Sequence, residues 1–126
     1  MAKKEFIYRG KTLEELSAMD LKTFASYIPA RSRRSLLHGR NHQQDMVLKA
    51  LREGKTPKTH ARDMIVTPDM VGKTIKLHSG KEWVDVNIIA DMLGHFLGEF
   101  TPTRKQIKHS APGIGATKSS SNVSVK

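Results

Sequence analysis

The apolar residues of this chain change their spacing once, near residue 60, and that change constrains the fold more than any other feature. Before it they recur at every third and fourth position: Leu21, Phe24, Ala25 and Ile28 form one stripe, and Val47, Leu48 and Leu51 another. Beyond it they alternate with polar residues, Ile75 and Leu77 with Thr74 and Lys76, then Val84, Val86 and Ile88 with Asp85 and Asn87. The first spacing lines one face of a helix, the second one face of a strand. The order predicts an α+β fold: a small sheet that includes a β-hairpin, flanking short helices, an N-terminal helical extension and an extended C-terminal tail.

Local signals place the boundaries. Thr12-x-x-Glu15 is a capping box, in which the hydroxyl and the carboxylate each satisfy a free backbone N–H at a helix start. Asp20 is placed to cap the Leu21–Ile28 stripe. Pro29 ends that helix and can open the next, which runs over about 30–38 and closes at Gly39. Asn41 caps a further helix that Gly54 ends. Residues 55–62 read as a polar basic connector, and 64–66 as a brief apolar run stopped by Thr67 and Pro68. Ser79-Gly80 reads as a two-residue hairpin turn, setting Ile75 opposite Val84 on the buried face and Lys76 opposite Trp83 on the other. Residues 89–92 read as one or two helical turns ended by Gly94.

Composition decides how large a core this pattern can build. Ile, Leu, Val and Phe make up 29 of 126 residues, above the roughly 20% below which a charged chain stays unfolded, so a modest core is expected over part of the chain. The net charge is +10, from 22 Lys and Arg against 12 Asp and Glu. It is unevenly spread. Residues 1–60 hold 13 bases and 6 acids, 61–100 hold 4 and 6, and 101–126 hold 5 bases and no acid. The division expected is a basic helical extension (1–57), a core (58–104) and a basic tail (105–126), the tail disordered when alone in water. Such charge calls for a polyanionic partner, nucleic acid before an anionic membrane surface.

Other classes have no support in the residues. No window approaches 18 apolar residues, and the charged start is not followed by the apolar stretch of a secretory signal, so neither a membrane span nor an export signal is expected. Cysteine is absent, which removes disulfides and thiolate sites. His38 and His42 are four apart, but Gly39 interrupts the helix that a shared metal would need, and Gly113-Ile114-Gly115 follows no strand. No carboxylate pair nominates an acid and a base. Neither an enzyme nor a cofactor nor a metal is expected.

Three segments carry the candidate contacts. Arg31, Arg33, Arg34 and Arg40 lie in a stretch with no acid between Asp20 and Asp45, and like charges left so close repel unless phosphate neutralises them. With Arg62 they are the expected phosphate contacts. Around the hairpin, Lys76, His78, Lys81 and Trp83 put cations and an indole where they can grip or stack on RNA. In the tail, Pro112, Gly113 and Gly115 lie among cations that include Arg104, Lys105 and Lys108, a composition suited to ordering on RNA.

The string GHFLGEFTPTR at 94–104 resembles the signature of the small-subunit ribosomal protein family numbered nineteen in bacteria and fifteen in eukaryotic naming. Gly94, His95, Gly98, Glu99, Phe100, Pro102, Thr103 and Arg104 all match that pattern. The preceding Gly72, His78, Gly80 and Lys81 are similar to the family's hairpin, and residues 59–64 and 112–117, with the helical arm, resemble its archaeal and eukaryotic branch. Where the bacterial branch has Trp-Ser-Arg-Arg, residues 58–63 keep only the basic character. The resemblance implies a cytoplasmic ribosomal protein, a monomer within the ribosome and not on a membrane, bound to the 3′ domain of small-subunit rRNA in the head. It implies a neighbouring small-subunit protein of family thirteen, and a tail reaching towards the decoding region and the A-site tRNA. Lys58, His60, Lys73, His95 and His109 complete the candidate rRNA contacts, as cations or as rings able to donate to phosphate and 2′-hydroxyl oxygens. The alternative is a generic basic nucleic-acid-binding module, which gives no reason for the signature string.

Overall fold

The computed structural model describes residues 6–108. The chain runs β1 (Ile7–Tyr8), β2 (Lys11–Thr12), α1 (Leu13–Ala18), α2 (Leu21–Tyr27), α3 (Ala30–Leu37), α4 (His42–Arg52), β3 (Lys58–Thr59), β4 (Thr74–His78) and β5 (Trp83–Asn87), with three short 3₁₀ turns at Pro68–Met70, Ala90–Met92 and Leu97–Phe100. This is an α+β architecture, with the helices first and the main sheet after them.

The capping box forms as expected: Glu15 N–H donates to Thr12 Oγ1, and Thr12 N–H donates to Glu15 Oε2. Asp20 occupies the first cap of α2, yet its side chain makes no capping bond. Pro29 caps α3, and Asn41 precedes α4 with its N–H donating to Gln44 Oε1 at 3.2 Å. Ahead of these helices lies an element the helical reading overlooked. β1 and β2 form a tight hairpin through Arg9 and Gly10, both at positive φ (49° and 80°), the geometry of the turn that matches strand twist.

The main sheet has the order β3-β4-β5, with β3 parallel and β5 antiparallel to β4. Two expectations are corrected here. The stretch 55–62 is not only a connector, because Lys58 and Thr59 pair with Lys76 and Leu77. A parallel pair needs a crossover, and residues 60–73 supply it. The hairpin register also differs: Ile75 pairs with Val86, Lys76 with Asp85, Leu77 with Val84 and His78 with Trp83. The loop is four residues, Ser79–Glu82, closed by Ser79 N–H to Glu82 O at 2.9 Å and by the Ser79 hydroxyl, which donates to the same carbonyl at 3.0 Å. The slip is two residues, so side-chain parity survives and Ile75 stays fully buried.

One hydrophobic cluster unites the two halves of the chain. Leu16, Phe24, Ile28, Val47 and Leu51 from the helices meet Ile75, Leu77 and Val86 from the sheet's inner face, and Leu93 and Leu97 from the turns beyond. Burying a side chain of this kind contributes about 1.5–3 kcal/mol, so the helical arm gains its stability by covering the sheet. The sheet's other face is left open.

Candidate nucleic-acid interface

Two surfaces hold most of the candidate residues. The first is α3 and the loop after it. Arg31, Arg33, Arg34 and Arg40 are all exposed. Ser32 and Leu36, turned inward, hold α3 against the body, which sends the arginines out. None of the four forms an ion pair among the described residues. Arg31 lies over the Phe96 ring, 5.9 Å from its centroid, and Arg33 Nη2 makes only a long contact, 3.4 Å, to the Ile28 carbonyl. Beside Arg40 a cleft of about 500 Å³ opens between α3, α4 and residues 63–67, with Leu36, Leu48 and Ile65 among its lining and Gln44 hydrogen-bonded to Asp63 at its wall.

The second surface is the open face of the sheet. Alternation sends Trp83, Asp85 and Asn87 outward from β5 and Thr74, Lys76 and His78 outward from β4, while Lys58 is exposed on β3. His60, His78 and Trp83 form a triangle of rings with centroids 4.5, 4.8 and 4.9 Å apart. Lys58 Nζ stands 6.0 Å from the Trp83 centroid. The expected neighbour of the indole was Lys76; the register gives it His78 and His60, and places Lys76 beside Asp85, with Nζ 3.5 Å from the carboxylate. His78 Nδ1 accepts from the Gly80 N–H at 3.1 Å, which leaves the ring proton of the neutral imidazole on Nε2. Lys81 is exposed in the loop, and Lys73 is half-buried just before β4. Thr74 and Asn87, joined through Oγ1 and Oδ1 at 2.7 Å, extend this face. They were not among the candidates, though their alternation with inward Ile75 and Val86 marks them as outward.

Arg62 belongs to neither surface. Half-buried, it donates from Nη1 to the His78 carbonyl at 2.8 Å and from Nη2 to the Gly98 and Thr101 carbonyls at 2.7 and 2.6 Å. Expected on phosphate, it ties the end of β4 to the last 3₁₀ turn and the residue after it.

The string 94–104 is bonded both within itself and to residues 62–66. His95 Nδ1 lies 2.7 Å from Glu99 Oε2, and Phe96 N–H donates to Glu99 Oε1 at 3.3 Å. The His95 ring meets Phe100 edge-on, with centroids 6.1 Å apart. Gly94 N–H bonds to Val66 O while Val66 N–H bonds to His95 O, which docks the string on the 64–66 segment. Arg104 at its end and Lys105 and Lys108 beyond it are exposed, and Lys105 Nζ pairs with Glu82 Oε1 at 2.6 Å. His109 and the Pro-Gly-x-Gly segment at 112–115 lie outside the described residues.

An α+β scaffold with unpaired arginines on one surface, and lysines beside open rings on another, has the features of a basic nucleic-acid-binding protein. Comparison with protein families narrows the class. The family model described as Ribosomal protein S19 matches residues 29–109, well over half of the chain, and the chain belongs to that family. It is therefore a non-enzymatic, structural constituent of the small ribosomal subunit that binds rRNA and serves translation.

Proposed function

We propose that this chain is a cytoplasmic member of the family's archaeal and eukaryotic type, and that it anchors the 3′ domain of small-subunit rRNA in the head. In this reading Arg31, Arg33, Arg34 and Arg40 neutralise phosphates where RNA helices converge. Lys58, His60, Lys73, Lys76, His78, Lys81 and Trp83 meet RNA at the sheet. His95, Arg104, Lys105, Lys108 and His109 continue the path, and the tail extends towards the decoding region and the A-site tRNA. A small-subunit protein of family thirteen lies alongside.

The observation that supports this reading best is the arginine set on and after α3, exposed and without a carboxylate partner among the described residues. Planar guanidinium forks suit phosphate oxygens, and their mutual repulsion is relieved once phosphate is bound. The helical arm supports the assignment to the archaeal and eukaryotic type, since the bacterial form largely lacks it. The test is to compare binding of the full chain to transcripts of the 3′ and 5′ domains of small-subunit rRNA at rising salt. Preferential retention on the 3′ domain is expected. Equal affinity for both, or for plasmid DNA, would remove the assignment to the 3′ domain.

A further inference from the structure

We propose that the open face of the main sheet is a stacking platform for one unpaired RNA base, with the flanking phosphates held by Lys58 and Lys76. This rests on the rRNA-binding reading and narrows it: the contact is with an unstacked nucleotide in a loop or bulge, not with the backbone of a duplex.

The register builds the platform. His78 pairs with Trp83 on one side of β4, and on the other side Thr59 pairs with Leu77, so His60 follows alongside His78. The three rings form one row, from β5, β4 and the residue just after β3, with centroids within 4.9 Å of one another. Two residues back along the strands, about 6.6 Å at strand rise, lies a second row of Lys58, Lys76 and Asp85. Rings in one row and two ammonium groups in the next, that of Lys76 also facing Asp85 at 3.5 Å, match a nucleotide, whose base is a flat apolar surface and whose linkage is anionic.

The fold does not need these rings for its core. Ile75, Leu77 and Val86 fill the inner face, while Trp83 keeps 41% of its surface open. Bases in a duplex already stack on their neighbours, so an indole held open on a sheet gains most from a base splayed out of a helix. A protein neighbour would be expected to meet an aromatic anchor within a lysine-depleted patch, and this anchor has lysines in the adjoining row. His78 adds a directional group, because its Nδ1 bond to the Gly80 N–H leaves Nε2–H as a donor for a base edge or a 2′-hydroxyl.

Trp83 is the only tryptophan in the chain, so its emission reports on the platform directly. The full chain is titrated with a short single-stranded oligoribonucleotide and with the same strand annealed to its complement. Binding of the 3′-domain transcript is measured in parallel. Saturable quenching by the single strand and little by the duplex is expected. Trp83→Leu should weaken single-strand binding roughly 5- to 150-fold while the melting temperature stays unchanged, and Trp83→Phe should restore most of the affinity.

The outcomes separate the two readings. If the wild type binds the transcript but Trp83→Leu binds single strand and transcript as tightly, or the duplex quenches equally, the platform is overturned and the rRNA reading stands. Normal single-strand quenching with no preference for the 3′ domain sinks the head assignment and leaves the platform standing. Binding to no RNA at all overturns both. Quenching by a neighbouring ribosomal protein and by no RNA assigns the face to a protein and overturns the proposal.

Discussion

Arg62 and Gly98 are joined by two reciprocal hydrogen bonds: the Gly98 N–H donates to the Arg62 carbonyl at 2.9 Å, and Arg62 Nη2 donates to the Gly98 carbonyl at 2.7 Å. The approach is so close that a Cβ on Gly98 would lie 3.0 Å from both the Arg62 Cβ and its carbonyl oxygen. The same guanidinium holds the His78 and Thr101 carbonyls, so one side chain fastens the end of the hairpin strand to the chain as it leaves the body.

Arg62→Lys tests this role. Lysine keeps the charge but offers a point donor in place of a planar fork, and it cannot serve three carbonyls from one position. Hydrogen bonds from a charged group contribute about 1.5–3 kcal/mol each, so losing one should cost about that much and losing two up to about twice it. Urea unfolding should show that loss. A residue that served only phosphate would leave the unfolding midpoint where it was.

Gly94 supplies a second close approach, between the signature string and the helical arm. Its φ is +77°, and a Cβ there would sit 2.9 Å from Ile28 Cγ2 and 3.1 Å from the Tyr8 hydroxyl. Gly94→Ala should destabilise by about 2–4 kcal/mol, combining left-handed backbone strain with overpacking. Ile28→Ala removes the nearest of those atoms. The double variant should therefore lose less than the sum of the two singles, as measured by a double-mutant cycle in chemical denaturation. Strict additivity would show that the backbone conformation alone requires glycine.

These two glycines show where sequence reading reached and where it stopped. The caps at Thr12 and Pro29 and the α2 stripe were legible because each depends on residues within one or two turns. The faces of the hairpin were legible because alternation fixes parity. Its register was not, since Ser79 and Glu82 close a four-residue loop where Ser79-Gly80 suggested two. β3 was hidden because two residues carry no period, and their partners lie 18 positions on. Arg62 was read as a phosphate ligand because its charge is visible in the sequence, while the three carbonyls that claim it come together only in the fold. In the string 94–104, the sequence pattern identified the family but not why its glycines and its His95–Glu99 contact occur there.

The loop that sets the register also meets the base of the tail. Lys105 donates a hydrogen bond to Glu82, and this bond, with the lysine's charge, lowers the pKa of the glutamate from its ordinary value. A carboxyl with a lowered folded-state pKa contributes stability that is present above its unfolded value and is lost as pH falls through the folded one. The contribution should therefore begin to fade as pH falls through the ordinary glutamate value and be gone below the lowered folded-state one. Both side chains are largely exposed, so it will be small and screened by salt. Lys105→Gln should return the Glu82 titration, followed by NMR, towards that of an ordinary glutamate. An unchanged midpoint would show that the pair does not persist in solution.

The arginines on α3 allow a sharper separation of fold from function. Arg33 and Arg34 are exposed and make no ion pair among the described residues, so replacing both with alanine should change unfolding free energy by no more than about 0.5 kcal/mol. If both neutralise phosphates, the same variant should weaken rRNA binding and flatten the slope of log affinity against log salt by up to about 1.8, two contacts at the duplex-DNA value, and by less on single strands. The double lysine variant divides charge from geometry: it should keep the salt slope yet bind more weakly than wild type, because an ammonium cannot make the paired contacts of a guanidinium. Alanine and wild-type proteins with the same affinity and slope would remove these two residues from the interface. Lysine binding as tightly as arginine would reduce their role to net charge, and the fit of guanidinium to phosphate would no longer explain why α3 carries arginine.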